Sequence, residues 1–201
     1  MRYEGAVYRP PSEADSFILQ VTLGCSNNSC TFCGMYKDKI YRERDMNEVK
    51  EDIRMAKFLY GNVSKVFLAD GDALALETEK LVQILKYLKQ SFAGLRHIGI
   101  YAGPKSILGK GPDELKSLNS IGLTIAYMGI ETGDPELLHE IKKGSTREEM
   151  IEAGKKMVAS GIKLSCTVIL GLAGRDEIRS ERHARLTADV CSQINPHYLS
   201  A

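Results

Sequence analysis

Apolar residues along this chain keep two alternating rhythms. Short continuous apolar runs at 17–23, 66–69, 98–102, 123–130 and 163–170 are separated by stretches in which apolar residues recur every three or four positions. In 46–60 the recurring positions are Val49, Ile53, Ala56 and Leu59, and in 78–92 they are Leu81, Ile84, Leu85 and Leu88. The runs have the length and β-branched content of buried strands, and the spaced stretches are amphipathic helices. Local punctuation agrees. Pro112 opens a helix over 112–121 that Gly122 ends, and a capping box in Ser145-Thr146-Arg147-Glu148 opens one over 146–160 that Gly161 stops. A helix over 181–194 ends at Asn195-Pro196, and 197–201 reads as the opening of a sixth strand.

Strand–helix alternation of this length predicts right-handed βαβ units and a parallel sheet. Strands apolar on both faces fit a sheet buried on both sides. An α/β partial or complete barrel of about six strands and an open doubly wound sheet both satisfy the pattern. In either, the active site belongs at the C-terminal ends of the strands. One domain over 1–201 is expected, with 1–15 as an N-terminal extension. Ala201 falls where a strand should still be running, so the chain reads as a piece of a longer protein.

Composition narrows the function classes. A formal net charge of +1 supplies no field that would draw the chain to nucleic acid or to an anionic membrane. No apolar run approaches the roughly 20 residues that span a bilayer, and the start Met1-Arg2-Tyr3-Glu4-Gly5 lacks a signal peptide's apolar core. A cytoplasmic location follows by default. Five cysteines, an odd number without an export signal, argue against a disulfide framework and for metal binding or catalysis.

Three of the five, Cys25, Cys30 and Cys33, fall in one loop directly after the first strand. Three thiolates can hold three corners of an iron–sulfur cubane and leave the fourth iron open. Zinc normally asks for four ligands paired across the fold, and no partner pair for this triplet is evident. Inert packing is the bland alternative, but Ser and Asn flank the triplet. Cys166 and Cys191, in a strand and a helix, read as small buried apolar residues.

A strand, then a cysteine triplet ending in Phe32-Cys33, then repeated βα units resembles the radical S-adenosylmethionine (SAM) superfamily over nearly the whole chain. The usual spacing there is C-x3-C-x2-C; here it is C-x4-C-x2-C. The resemblance implies a partial TIM-type barrel and a [4Fe-4S] cluster held by Cys25, Cys30 and Cys33. It implies that the amino and carboxylate groups of SAM chelate the fourth iron. Reductive cleavage would then give methionine and a 5′-deoxyadenosyl radical that abstracts a hydrogen from a substrate. A reducing donor of the flavodoxin or ferredoxin type is implied as partner.

The resemblance also carries particular residues. The second strand ends Asp70-Gly71-Asp72, where the family has a glycine-rich turn facing the SAM ammonium; an ordinary solvated turn is the alternative. Gly129-Ile130-Glu131-Thr132-Gly133 resembles an element of the coproporphyrinogen-oxidase, Elongator-subunit and methylthiotransferase branch, which makes Glu131 a SAM contact rather than a surface carboxylate. Lys143 matches the position of an arginine that takes the SAM carboxylate, against a plainly solvated lysine. Thr167 and Gly171 match a segment near the adenosine, and Phe32 would pack by the adenine or the cluster. Arg175 could meet an anionic substrate, though solvation is its simpler reading. Tyr36, Tyr101 and Tyr127 lie near strand ends or the cysteine loop, and interior packing is their default over hydrogen transfer. His97 has no evident partner and reads as structural. No catalytic residue is assigned. Two other functions fit the thiols: a cluster-bearing electron carrier or sensor without SAM, and a zinc-binding interaction module.

Overall fold

The computed structural model describes residues 1–201. A short 3-10 turn over Pro11–Glu13 precedes strand β1 (Phe17–Gln20), β2 (Thr22–Leu23) and β3 (Arg42–Glu43). Then follow helix α1 (Met46–Tyr60), β4 (Lys65–Ala69), α2 (Thr78–Ser91), β5 (His97–Tyr101), α3 (Pro104–Leu108) and α4 (Pro112–Ile121). The chain ends with β6 (Ile125–Glu131), α5 (Pro135–Glu140), α6 (Arg147–Ala159), β7 (Lys163–Val168), α7 (Glu177–Ile194) and β8 (Tyr198–Ser200).

Six strands form one parallel sheet in the order β1-β4-β5-β6-β7-β8. The order never reverses, which excludes a doubly wound sheet with its switch point. The helices agree. Leu19, Val66, Leu68, Ile98, Ile100, Ala126, Met128, Leu164 and Cys166 point to one face and pack there with residues of α1, α2, α4, α6 and α7. The alternate positions Phe67, Ala69, Ile125 and Tyr127, with Ile18 and Tyr101 against them, cluster on the other face. Helices on one face and a strand-lined interior on the other make a partial TIM-type barrel, open between β1 and β8.

Several boundaries differ from the sequence reading. The apolar run 17–23 is two strands. Val21 donates its N–H to Ala69 O at 2.6 Å and accepts from Arg44 N, and beyond it β2 leaves the main sheet to pair antiparallel with β3. The capping box of α6 sits one residue later than expected: Thr146 Oγ1 accepts from Glu149 N at 3.2 Å, and Glu149 returns the bond to Thr146 N. Adjacent Ser-Thr and Glu-Glu pairs allow either register, and packing of Met150, Ala153 and Met157 selects this one. Helix α7 begins four residues earlier than expected, capped by Asp176. The short elements β3, α3 and α5 carry too few residues to show a period.

The interior is closed at the N-terminal ends of the strands by residues preceding β1. Glu13, only 1% exposed, accepts from Tyr127 Oη at 2.6 Å and pairs with His97 Nε2 at 2.7 Å. His97 therefore has a partner, which sequence reading missed because 84 residues separate the two. Burial pushes the Glu13 carboxyl up, but hydrogen bonds from His97, Ser16 and Tyr127 outweigh it and hold it below its usual value. Phe67, Tyr101 and Tyr127 stack edge-on above this floor, with centroids 4.8 to 6.3 Å apart.

Candidate functional site

At the opposite end of the sheet, the C-terminal ends of β4 and β6 meet the loop that joins β2 to β3. Gly24, in the left-handed region at φ 71°, turns the chain out of β2. Its N–H donates to Asp70 Oδ2 at 3.1 Å, and its carbonyl accepts from Gly71 N at 3.0 Å. Asn27 Nδ2 reaches Lys143 O at 2.5 Å and Cys30 Sγ at 3.3 Å, and Thr31 N donates to Ile141 O at 2.9 Å. The loop is thus tied to the turn after β4 on one side and to residues 141–143 on the other. Cys30 is buried, and Cys25 and Cys33 are half-buried.

Electrostatics at Cys25 and Cys30 favour the protonated thiol in the metal-free chain. Burial pushes Cys25 up to about 11, and it raises Cys30 as well, with the Lys143 ammonium partly offsetting it. Metal ligation would release those protons. No three His, Cys, Asp or Glu side chains converge on a single point as one zinc ion requires. A cubane makes a different demand, one thiolate for each of three irons. Cys166 and Cys191 lie in the apolar cluster on the helix-covered face, so neither can supply a fourth thiolate.

The turn after β4 is committed to holding the loop. Asp70 is 0% exposed, and its Oδ2 accepts from Lys39 Nζ at 2.9 Å, Gln20 Nε2 at 3.0 Å and Gly24 N. Lys39 also donates to Ala6 O, which ties the N-terminal segment to the same carboxylate. Asp72 accepts from Ser26 Oγ, from Ser106 Oγ at 2.5 Å and from Gly103 N at 2.8 Å. Burial raises the Asp72 carboxyl, and those hydrogen bonds oppose the rise. Neither carboxylate is the solvated group of an ordinary turn. A Cβ on Gly71 would lie 2.6 Å from Tyr36 Cε2 and 2.8 Å from Cys25 Cβ, so only glycine lets the turn approach the cysteine loop this closely.

The end of β6 brings a second pair together. Glu131, at φ 63°, folds back over Gly129, and its Oε1 lies 3.0 Å from Lys143 Nζ. Each side chain is 10% exposed. A Cβ on Gly129 would fall 1.9 Å from Glu131 Oε1, so that glycine is a condition of the pair. Lys143 Nζ stands 6.0 Å from the centroid of the Phe32 ring, which is itself 38% exposed.

Helix α7 clamps the turn that follows. His183, 6% exposed, sits between Thr132 Oγ1 at 2.7 Å from Nδ1 and Ile169 O at 3.1 Å from Nε2. Thr187 Oγ1 accepts from Gly133 N at 2.9 Å, and a Cβ on Gly133 would strike Leu186 O at 2.3 Å. His183, Lys39, Asn27 and Tyr36 are structural members of the site whose roles no motif spacing reveals; the polar side chain on an apolar helix face is the only signal His183 leaves. Thr167 is exposed beside β8, with its Oγ1 3.2 Å from Ser200 Oγ, and makes no hydrogen bond to the cysteine loop. Gly171 is exposed at φ 79°, and no protein atom crowds it. Arg175 is likewise exposed, without an ion-pair partner.

The sequence profile of the radical SAM superfamily matches residues 19–187 of this chain. A putative methylthiotransferase of Methanocaldococcus jannaschii is 23% identical over 164 residues, 77% of this chain and 35% of that protein. Coproporphyrinogen III oxidase from Escherichia coli, described as a radical SAM enzyme, superposes with a TM-score of 0.69 at 18% identity, covering 92% of this chain and 43% of the other. The radical SAM methyltransferase TsrM of Kitasatospora setae, with cobalamin and a [4Fe-4S] cluster bound, gives 0.69 at 17% identity, covering 92% and 36%. The chain spans about a third of the length of the curated relatives it matches.

Proposed function

The chain belongs to the radical SAM superfamily, whose enzymes use a [4Fe-4S] cluster and SAM, and we propose that Cys25, Cys30 and Cys33 hold that cluster here. One observation carries the reading. The fold brings the loop that carries the three thiols against the Asp70–Asp72 turn after β4 and against Lys143, which pairs with Glu131 at the end of β6, at the strand ends where barrel enzymes place their chemistry. The donor set fits the cofactor: three soft thiol ligands, no fourth in reach, and a polar wall for the nucleoside's charged end.

When bound, the cluster and SAM supply a carbon-centred radical able to take a hydrogen atom from an unactivated position. The chain's own residues position and shield. Glu131 and Lys143 offer one negative and one positive group beside the thiols, matched to the ammonium and carboxylate of an amino-acid moiety. Gly71 lets its turn approach the loop, and Asp72, fixed by two serines, sets the turn's path. Phe32, exposed on the cysteine loop beside Lys143, would flank the cluster, and Thr167 with Gly171 would border the adenosine. Glu13, Tyr127 and His97 close the opposite end of the interior against water.

The electron donor is of the flavodoxin or ferredoxin type, and a cytoplasmic location suits both it and the free thiols. No helix is long and apolar enough to cross a membrane. An electron carrier without SAM would need a fourth protein ligand, and the buried placement of Cys166 and Cys191 argues against it. Anaerobic reconstitution tests the proposal. Brown protein carrying a full cubane's iron should convert SAM to 5′-deoxyadenosine when a chemical reductant is added, and Cys30→Ala should lose both. Colourless protein with three freely alkylated thiols would refute it.

A further inference from the structure

Tyr36 lies three residues beyond Cys33, is 3% exposed, and its hydroxyl is fully enclosed without a hydrogen-bond partner. Buried hydroxyls rarely go unpaired, so an orphan calls for a cause. The ring cannot swing away to find one. Tyr8 packs edge-on against it at 5.6 Å, Lys39 Nζ stands 5.7 Å from its centroid, and its edge shares the space above Gly71 with Cys25 Cβ. Burial above all, and then the Asp70 carboxylate, push the phenol's pKa well above its usual value, so the hydroxyl keeps its proton. The phenol is therefore an enclosed donor whose ring edge meets the Cys25 side chain above Gly71.

Resting on the cluster assignment above, we infer that Tyr36 donates its O–H to a sulfur of the bound cluster and thereby raises the cluster's reduction potential. Sulfur carries more negative charge in the reduced state, so a fixed donor stabilises that state more than the oxidised one. The donor acts from a second layer: it neither ligates iron nor touches the substrate. A competing acceptor exists. Asp70 Oδ1 is also buried and unpartnered, while Oδ2 is saturated by Lys39, Gln20 and Gly24. Donation to Asp70 would serve the fold alone. Donation to sulfur makes the hydroxyl a tuning group, and the two differ in what its removal changes.

The test is Tyr36→Phe in anaerobically reconstituted protein, followed by redox titration monitored by electron paramagnetic resonance. The expected result is wild-type iron content with a midpoint shifted to more negative values. A tenfold weaker reduction equilibrium corresponds to about 59 mV for a one-electron couple. In the reduced wild type, pulsed spectroscopy should show an exchangeable proton coupled to the cluster that the variant lacks. An unmoved midpoint with the coupling retained would overturn the inference, as would a variant altered only in melting temperature. Should Tyr36→Phe fail to hold its cluster, a fluorinated tyrosine at this position, a stronger donor, should move the midpoint positive, and no movement overturns the idea. Wild-type protein that binds no iron would fail the cluster assignment itself, a different outcome from a loaded protein whose potential ignores Tyr36.

Discussion

Lys143 Nζ and Glu131 Oε1 are 3.0 Å apart across twelve residues of chain, in a site where each side chain is nine-tenths covered. Removing one partner of a buried pair strands the other charge. Glu131→Gln should weaken SAM binding about tenfold in an equilibrium titration while iron content stays at the wild-type level. Lys143→Met should cost about 3–5 kcal/mol in denaturant unfolding, because the Glu131 carboxylate then has no counter-charge. Equal SAM affinity in the Gln variant would take Glu131 out of the binding site.

Gly71→Ala places a methyl group where Tyr36 and Cys25 already meet. The loop must yield, with a stability loss of about 1–3 kcal/mol. Reconstituted iron per chain should fall in the variant. A variant that loads iron normally would show that the loop has slack at this point.

His183 joins the Thr132 turn to the end of β7 through Ile169 O. His183→Ala should weaken SAM binding several-fold by freeing the turn that carries Glu131, at unchanged iron content. His183→Gln keeps one donor for Ile169 O and should recover part of the affinity. If affinity followed only the loss of melting temperature, in both variants alike, the helix would be acting through stability rather than through the turn.

Acid should act through Asp52. This carboxylate lies 2.7 Å from Arg44 Nη1 and 3.1 Å from Arg2 Nε. Burial pushes its pKa up, but the bonds from Arg44 and Arg2 outweigh burial and hold it below the ordinary value. A depressed folded-state pKa contributes stability above the unfolded value of about 3.9 and loses it as pH falls through the folded one. Melting temperature should therefore decline below about pH 4, and Asp52→Asn should start lower and decline less over the same range. Parallel curves for the two proteins would remove this pair from the acid response.

Much of this architecture was legible because strand and helix periods are local. The helix over Pro112–Ile121 appears with its expected bounds, since proline and glycine mark both ends. The break at Val21 was not legible, because an apolar run looks the same whether or not the chain leaves the sheet midway. The choice between a doubly wound sheet and a partial barrel also lay beyond pattern, since both alternate strand and helix. It was settled by an order of strands that never reverses. Helices α3 and α5 and strand β3 are too short to declare a period at all.

The amino-acid sequence by itself determined the parallel βα frame and the candidate ligand set, because three thiols in nine residues and a repeated alternation need no distant partner to be read. Only tertiary structure decided which polar groups are spent and which are left over. Asp70 Oδ2 is taken up by Lys39, Gln20 and Gly24, Glu131 is paired with Lys143, Glu13 is anchored by His97, and Asp70 Oδ1 and the Tyr36 hydroxyl are left alone. Most of these partners lie tens of residues apart, and packing rather than spacing brings them within hydrogen-bond range.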